Sequence, residues 1–357
     1  DPPGATVTLY RYVLRRRRLV EVFDRVLGTT PLDAEALPMG RYLCVLSRGG
    51  HQDVRQPVEI RRLQHWTGIR PGDDVPLPIW LPPTGTFGAD EIYVPAGWFW
   101  SGGDPEAYNA LPARRLWCDA FVAQRFVVTA AEYLAFLDDL VARGREEEAL
   151  GLAPRYPGRA DEPGAQLTHR TASGGFVLRP DHQGDTWHDR WPIPNVNWWG
   201  ASAYLTWRAE RTGLPWRLPG EFEWEKAARG VDGRLYPWGD TVDASWAHIG
   251  TSHPTTPIRN PSVVDGYPVD CSPYGVRGMA GNIREWCLDS RGRIVDDIVV
   301  ATPEEGPDRQ VKGASWSNIA RAARLAGRGA FSIKIRSPDY GFRGVYSVGE
   351  AARGAAD

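Results

Sequence analysis

Leu218-Pro-Gly-Glu-Phe-Glu-Trp-Glu-Lys-Ala-Ala-Arg-Gly230, followed by Tyr236-Pro-Trp-Gly-Asp240, is the stretch on which the fold turns. Glu221, Glu223 and Glu225 look at first like paired acid–base carboxylates. On a helix, however, positions 221 and 225 share a face and Arg229 follows one turn later. The spacing therefore predicts structural ion pairs and capping rather than catalysis. Two further runs lie downstream: Gly275-Val-Arg-Gly-Met-Ala-Gly-Asn-Ile-Arg-Glu-Trp286, then Gly313-Ala-Ser-Trp-Ser-Asn-Ile-Ala-Arg-Ala-Ala-Arg-Leu-Ala-Gly-Arg328, closed by Ser337-Pro-Asp-Tyr-Gly-Phe-Arg-Gly344. In the last of these, turn and aromatic residues frame positions that follow no catalytic logic.

Outward from these runs, 357 residues are too many for one small domain and predict two. With 42% apolar and 24% charged residues, the composition is that of a globular protein with a sizeable core. A net charge of −2 supplies no bulk field toward nucleic acid or an anionic membrane. The basic run Arg15–Arg18 reads as a solvated hairpin tip. Cys44, Cys118, Cys271 and Cys287 lie far apart, which predicts reduced thiols in a cytoplasmic protein. No apolar run approaches the length of a membrane span. The chain opens on Asp1-Pro-Pro-Gly without Met, as a fragment or trimmed chain would. Sixteen tryptophans beside 39 glycines and 30 prolines predict a loop-rich fold packed by large rings.

Residues 6–62 read as short strands: Thr6–Val13 and Arg41–Leu46 alternate, Pro38-Met-Gly40 makes a turn, and Pro57 places Val54–Ile60 at an edge. Residues 67–90, rich in Pro and Gly, read as a linker. Thr129-Ala-Ala-Glu132 is a capping box, behind which Tyr133, Leu134, Leu137, Leu140 and Val141 recur at helical spacing. A second helix is predicted from Asn197 to Gly213, with Trp199, Ala203 and Trp207 toward the core. Residues 144–190 read as a long loop excursion rather than a third domain.

The three signatures, in this order over residues 218–344, resemble those of the formylglycine-generating-enzyme (sulfatase-modifying factor) family, a branch of the C-type-lectin fold. Leu37-Pro-Met-Gly-Arg-Tyr with Arg48-Gly-Gly-His-Gln-Asp-Val resembles a small β-sandwich of the PEGA type, a spacer or interaction module. The resemblances imply an α+β chain with a small all-β sandwich at 1–66, a linker at 67–90, a C-type-lectin domain at 91–350 and a tail at 351–357.

What the family implies about chemistry is then carried over residue by residue. Its oxidase binds copper(I) between two cysteines of a G-G-S-[YW]-x-C-x-x-x-x-C pattern; those positions are Asn318 and Ala323, and neither supplies the thiolate that copper(I) needs. Its iron sulfoxide synthases need H-x-x-x-H-x-E, but no two of the seven histidines are four apart. His182 and His188, six apart, read as loop histidines. Calcium-binding members use the Gly-Asn-x-x-Glu segment, which here implies carbonyls at Gly281 and Ile283 and the carboxylate of Glu285. The side-chain oxygen expected at 278 is missing, because that residue is Gly278, while calcium wants roughly six to eight oxygens. No cofactor is therefore expected beyond that partial calcium set.

The expectation is a non-catalytic binding protein. Two kinds of family member fit: the C-terminal half of bacterial serine/threonine kinases, and the variable protein of diversity-generating retroelements, in which asparagine codons of a terminal segment are rewritten. The second implies a ligand-binding segment at about 313–344, with variable positions Ser317, Ile319, Ala322, Gly327, Ala330, Phe331, Ser332, Ile333, Ile335 and Tyr340. Trp316, Arg324, Arg328 and Arg343 would be its frame, and the ligand a protein. Phe331 and Tyr340 would be the anchors. Ordinary structure stays open as the alternative, since Phe331, Ile333 and Ile335 alternate with Ser332 and Lys334 as in any half-buried strand.

Overall fold

A computed structural model describes residues 1–357 except Ala34, 159–163, Ser173, 181–183, Asp185, 253–259, Glu304 and 350–357. The 351–357 tail thus lies outside the described residues, as do His182 and His253. β1 (Thr6–Arg15) and β2 (Arg18–Thr29) form a hairpin whose turn residues, Arg16 and Arg17, hold φ of 47° and 66°. Two positive φ values in a two-residue loop match the right-handed twist of the flanking strands. With β3 (Gly40–Ser47) and β4 (Val54–Ile60) they make an antiparallel sheet of order β2-β1-β3-β4, and β4 with its Pro57 is an edge. Ala5, Val7, Leu46 and Val54 pack on one face with Leu81.

The other face is docked on the larger domain. The Arg234 guanidinium lies 4.7 Å from the Tyr12 ring centre, and Arg41 reaches Asp232 at 3.4 Å and Asp240 at 2.9 Å. Leu19 N donates to Trp238 O at 2.8 Å. The basic tip is not simply solvated. Arg17 and Arg18 sit 5.5 and 5.6 Å from the Trp246 ring centre, and Arg17 pairs with Asp243 at 2.5 Å. Local anions and an indole face absorb its charge.

Residues 67–90 are not a free linker. Trp80, Leu81 and Phe87 are buried, and the Trp80 ring stands edge-on to Phe87 at 5.9 Å and to Tyr93 at 5.7 Å. The Pro and Gly of this stretch mark its turns; the three large apolar side chains decide where it lies, because their area is worth burying.

The larger domain opens with β5 (Glu91–Val94), β6 (Gly97–Ser101), β7 (Arg114–Cys118) and β8 (Phe121–Gln124). α1 (Ala130–Ala142) starts at the predicted capping box: Thr129 Oγ1 accepts from Glu132 N at 3.3 Å, and Glu132 Oε2 from Thr129 N at 2.8 Å. The excursion 144–190 carries α2 (Glu146–Leu152) and a hairpin of β9 (Thr168–Arg170) and β10 (Phe176–Leu178). The hairpin is tied to α1 by Phe176 N donating to Asp138 at 2.8 Å. α3 (Trp198–Thr212) is capped by Asn197 and ends at Gly213 with φ 70°. Its buried stripe is Trp198, Ala201, Tyr204 and Leu205, while Trp199 is 53% exposed. Of the expected stripe only Trp199 misses the core, and Trp198 takes its place, with its indole donating to a buried acceptor, Cys287 O, at 2.8 Å. Ala203 and Trp207 are partly buried against the same core.

α4 (Glu221–Arg229) follows, then β11 (Arg284–Trp286), β12 (Arg293–Val295), β13 (Ile298–Val300), β14 (Asp308–Lys312), β15 (Gly329–Ser332), β16 (Tyr340–Gly341) and β17 (Val345–Ser347). The larger sheets run β15-β14-β11-β16, β12-β13-β7-β6 and β17-β8-β5. The first of them carries the terminal segment. Among the described residues no helix is long and apolar enough to cross a membrane.

Because the joining segment is packed, Trp80→Ala is expected to cost roughly 3–5 kcal/mol, as a deleted buried ring does. Far-ultraviolet circular dichroism and tryptophan fluorescence should trace one coincident denaturant transition for both domains. Two separate transitions, with Trp80→Ala neutral, would restore a free linker.

Candidate ligand face on the terminal segment

All nine residues of α4 are buried, five of them charged. Each glutamate has its own guanidinium. Glu225 pairs with Arg229 at 2.5 Å, Glu223 with Arg217 at 2.7 Å, and both oxygens of Glu221 meet Arg328 from the terminal segment. Burial alone would raise Glu223 and Glu225, yet Arg217 holds the first, and Lys312 with Arg229 the second, below the usual range. Lys226 donates to the carbonyls of Pro95 at 2.6 Å and Cys118 at 3.0 Å. These are structural pairings, the reading that the Glu221/Glu225/Arg229 spacing supports.

Three arginines anchor the terminal segment to such buried carboxylates. Arg324 Nη1 donates to both oxygens of Asp104 at 2.9 Å and its other nitrogen pairs with Glu106. Arg328 takes Glu221. Arg343 donates to Glu285 at 2.6 and 2.8 Å and to the carbonyls of Gln124, Arg125 and Arg277. The segment leaves β14 at Gly313, where φ is +74° and a Cβ would lie 3.0 Å from Met279 O and 3.2 Å from Trp224. Only glycine fits there. Ser315 N then donates to Asn318 Oδ1 at 3.0 Å, and the hydroxyls of Ser315 and Ser317 reach Asp339 at 3.2 and 3.4 Å. A 3-10 turn, Ala320–Ala323, leads to Arg324.

Asn318, at the first cysteine position of the resembled oxidase, is thus a turn-capping amide. Ala323, at the second, is 1% exposed core. The four thiols present do not replace them. Burial pushes Cys118 up to about 12 and Cys44 to about 11, and raises Cys271 and Cys287, so each is held as the thiol rather than the soft thiolate. His188 accepts from Arg190 N at 3.1 Å, a local loop bond. The calcium set fails on its strongest member, because the Arg343 guanidinium already occupies both oxygens of Glu285. A cation is already in place there.

The ten expected variable positions divide by exposure. Ser317, Ile319, Ala330 and Ile335 are exposed, Ile319 at 58%. Ala322, Gly327, Phe331, Ser332 and Ile333 are half-buried. Tyr340 is a correction: it is 6% exposed, packed edge-on to Trp286 at 5.4 Å and against Phe331 at 5.2 Å. Its place on β16, paired in parallel with β11, turns it into the core. Phe331 leans the same way, under the Arg284 guanidinium at 5.1 Å, so neither ring is a free anchor. Trp316 is also corrected. Counted with the arginines as frame, it is only half-buried, its indole Nε1 donating to Pro338 O at 3.4 Å. Its N–H reaches an acceptor at the segment's rim, so the ring stays there.

Sequence reading missed the loop Asp104-Pro-Glu-Ala-Tyr-Asn109, which crosses the segment and is sewn to it. Arg328 N donates to Tyr108 O at 2.8 Å, and Arg321 Nε to Glu106 O at 2.6 Å. The only local signal was the Gly102-Gly103 turn before it, which marks a bend and no partner. Asp270 was missed as well. It is 1% exposed, accepts from Met279 N and Ala280 N, and is raised by burial to about 7 despite Arg343 and Arg277 nearby.

Two stability measurements follow. Ile319→Ala should change unfolding free energy by less than about 0.5 kcal/mol, whereas Tyr340→Ala should cost roughly 3–5 kcal/mol; equal losses would remove the division between face and core. For Asp270 the folded carboxyl lies near 7 against roughly 3.9 unfolded. The stability that its uncharged form supplies is complete below about pH 4 and is lost as pH rises through about 7. Between pH 5 and 8 the wild type should therefore lose melting temperature that Asp270→Asn keeps. Parallel curves would contradict the assignment.

The geometry has counterparts. A family model described as the sulfatase-modifying factor enzyme 1-like domain matches residues 82–348. Serine/threonine-protein kinase pkn1 of Chlamydia pneumoniae is 33% identical over 178 residues, covering 48% of this chain and 25% of the kinase. The chain spans between 25% and 37% of the length of the chlamydial kinases it matches. The formylglycine-generating enzyme of Bos taurus is 29% identical over 292 residues, covering 71% of this chain and 73% of that enzyme. Among solved structures, Treponema denticola variable protein 1 superposes with a TM-score of 0.50 at 20% identity, over 72% of this chain and 95% of that one, a likeness of fold. With three quarters of its length matched and the C-type-lectin architecture in place, this chain belongs to the sulfatase-modifying factor enzyme 1-like family.

Proposed function

We propose that this protein is a non-catalytic ligand-binding member of its family. Its C-terminal C-type-lectin segment presents positions rewritten by a diversity-generating retroelement, to bind varied protein ligands. The observation that carries the reading is the division of labour within one segment. Arg324, Arg328 and Arg343 are locked on buried carboxylates, while Ser317, Ile319, Ala330 and Ile335 keep their side chains in solvent. A segment held this way tolerates replacement of its exposed side chains with little effect on stability. Asn318 and Ala323 at the oxidase cysteine positions support the absence of catalysis.

The identity to chlamydial kinases favours a second, compatible reading, in which the domain is the sensor or regulatory part of a serine/threonine kinase assembly. A cytoplasmic location goes with that reading. The decisive observation is genomic: an adenine-rich near-copy of the coding segment for residues 313–344 beside a reverse transcriptase, with exposed positions differing between the copies. At the bench, copper(I), oxygen and a sulfatase-type cysteine peptide should yield no formylglycine by mass spectrometry. Turnover would sink the proposal, and so would identical terminal segments throughout a set of closely related strains.

A further inference from the structure

Within the terminal segment three exposed residues, Arg321, Lys334 and Pro338, are neither frame nor among the ten expected variable positions. Arg321 lies on the 3-10 turn with its guanidinium carbon 4.5 Å from the centre of the Tyr108 ring. Its Nε is spent on Glu106 O at 2.6 Å. Its two terminal nitrogens have no acceptor among the described residues, and the residue is exposed. Tyr108 is itself 42% exposed and is fixed by its own backbone, since its carbonyl accepts from Arg328 N and the next residue, Asn109, donates to Arg328 O at 3.4 Å. Asp104 holds the far end of this loop through Arg324.

We propose that Arg321, held over the Tyr108 ring, is a fixed carboxylate-capturing anchor of the ligand face. It would be shared by every variant, with the rewritten positions around it supplying specificity. The inference rests on the binding reading above and names the partner's chemistry: a protein surface that offers Asp or Glu beside an apolar group. The paired N–H edge of a guanidinium matches a carboxylate bidentately, and a stacked arginine has already lost most of its rotamer freedom. Ile319, two residues away and 58% exposed, supplies the apolar neighbour. Asp104, Glu106, Arg324 and Arg321 together carry no net charge, so recognition is by directed hydrogen bonds rather than a long-range field. The same neutrality disfavours a polyanion such as nucleic acid.

The test uses the full chain and a phage-displayed library of random dodecapeptides. Peptides lost on Ile319→Asp count as face binders. Their sequences should be enriched in Asp and Glu, and Arg321→Gln, which gives up the Nε bond to Glu106 O, should weaken them at least tenfold while lowering the melting temperature only slightly. Replacing the peptide's acidic residue by its amide should cost the same factor on wild type and almost nothing on Arg321→Gln. Arg321→Lys should recover only part of the loss, and Tyr108→Ala should weaken binding as well. Face binders without acidic enrichment, or indifferent to Arg321→Gln, overturn the anchor and leave the binding reading intact. If no peptide binds the face at all, both fall.

Discussion

The structure depends on a helix that has no exposed side. α4 carries three glutamates, a lysine and an arginine into an interior where an unpaired charge would be severely penalised. Each glutamate is therefore answered by an arginine: one from the helix itself, one from Arg217 just before it, and one from Arg328 a hundred residues away. The chain must close around these pairs together, and that closure brings the terminal segment against α4. Arg343 on Glu285 and Arg324 on Asp104 repeat the device at the segment's other contacts. Removing one partner of such a pair leaves its opposite buried and alone, so every pairing constrains the path of the chain.

Much of this was legible in the sequence. The Thr129 capping box, the Asn197 and Gly213 ends of the second helix and the edge position of Pro57 are local effects, set by a few neighbouring residues, and all are present. The Glu225–Arg229 pair was equally local. What failed was non-local. Trp199 and Trp198 differ by one position, and only the distant Cys287 carbonyl decides which ring goes inward. Tyr340 was placed on the face by the resemblance alone; its parallel pairing with β11 sends it to Trp286. Residues 67–90 have a linker's composition and a core's side chains. The sequence does not say which of those prevails until Phe87 and Tyr93 are seen around Trp80.

The candidate face was legible in outline and not in depth. Ser317, Ile319, Ala330 and Ile335 are exposed as the resemblance implied. Alternation on β15 cannot distinguish a strand that is bare on one side from one that Arg284 and Tyr340 cover. The loop 104–109 carries no motif, yet it holds Arg324 through Asp104 and Glu106 and accepts from Arg321 and Arg328 at its own carbonyls. Its role comes from where β6 and β7 place it.

β15 is joined to β14 through main-chain groups, four residues in register from Asp308 opposite Ser332 to Val311 opposite Gly329. Those bonds do not depend on which side chains β15 carries. They do depend on counting. One residue added or lost between Arg324 and Arg328 would shift the spacing at which those two side chains meet Asp104 and Glu221, and one within β15 would move its side chains to the other face of the sheet. The constraint on this segment is therefore one of length before it is one of letters: exchanging an exposed side chain leaves the bonds to β14 in place, while an insertion or deletion shifts their register.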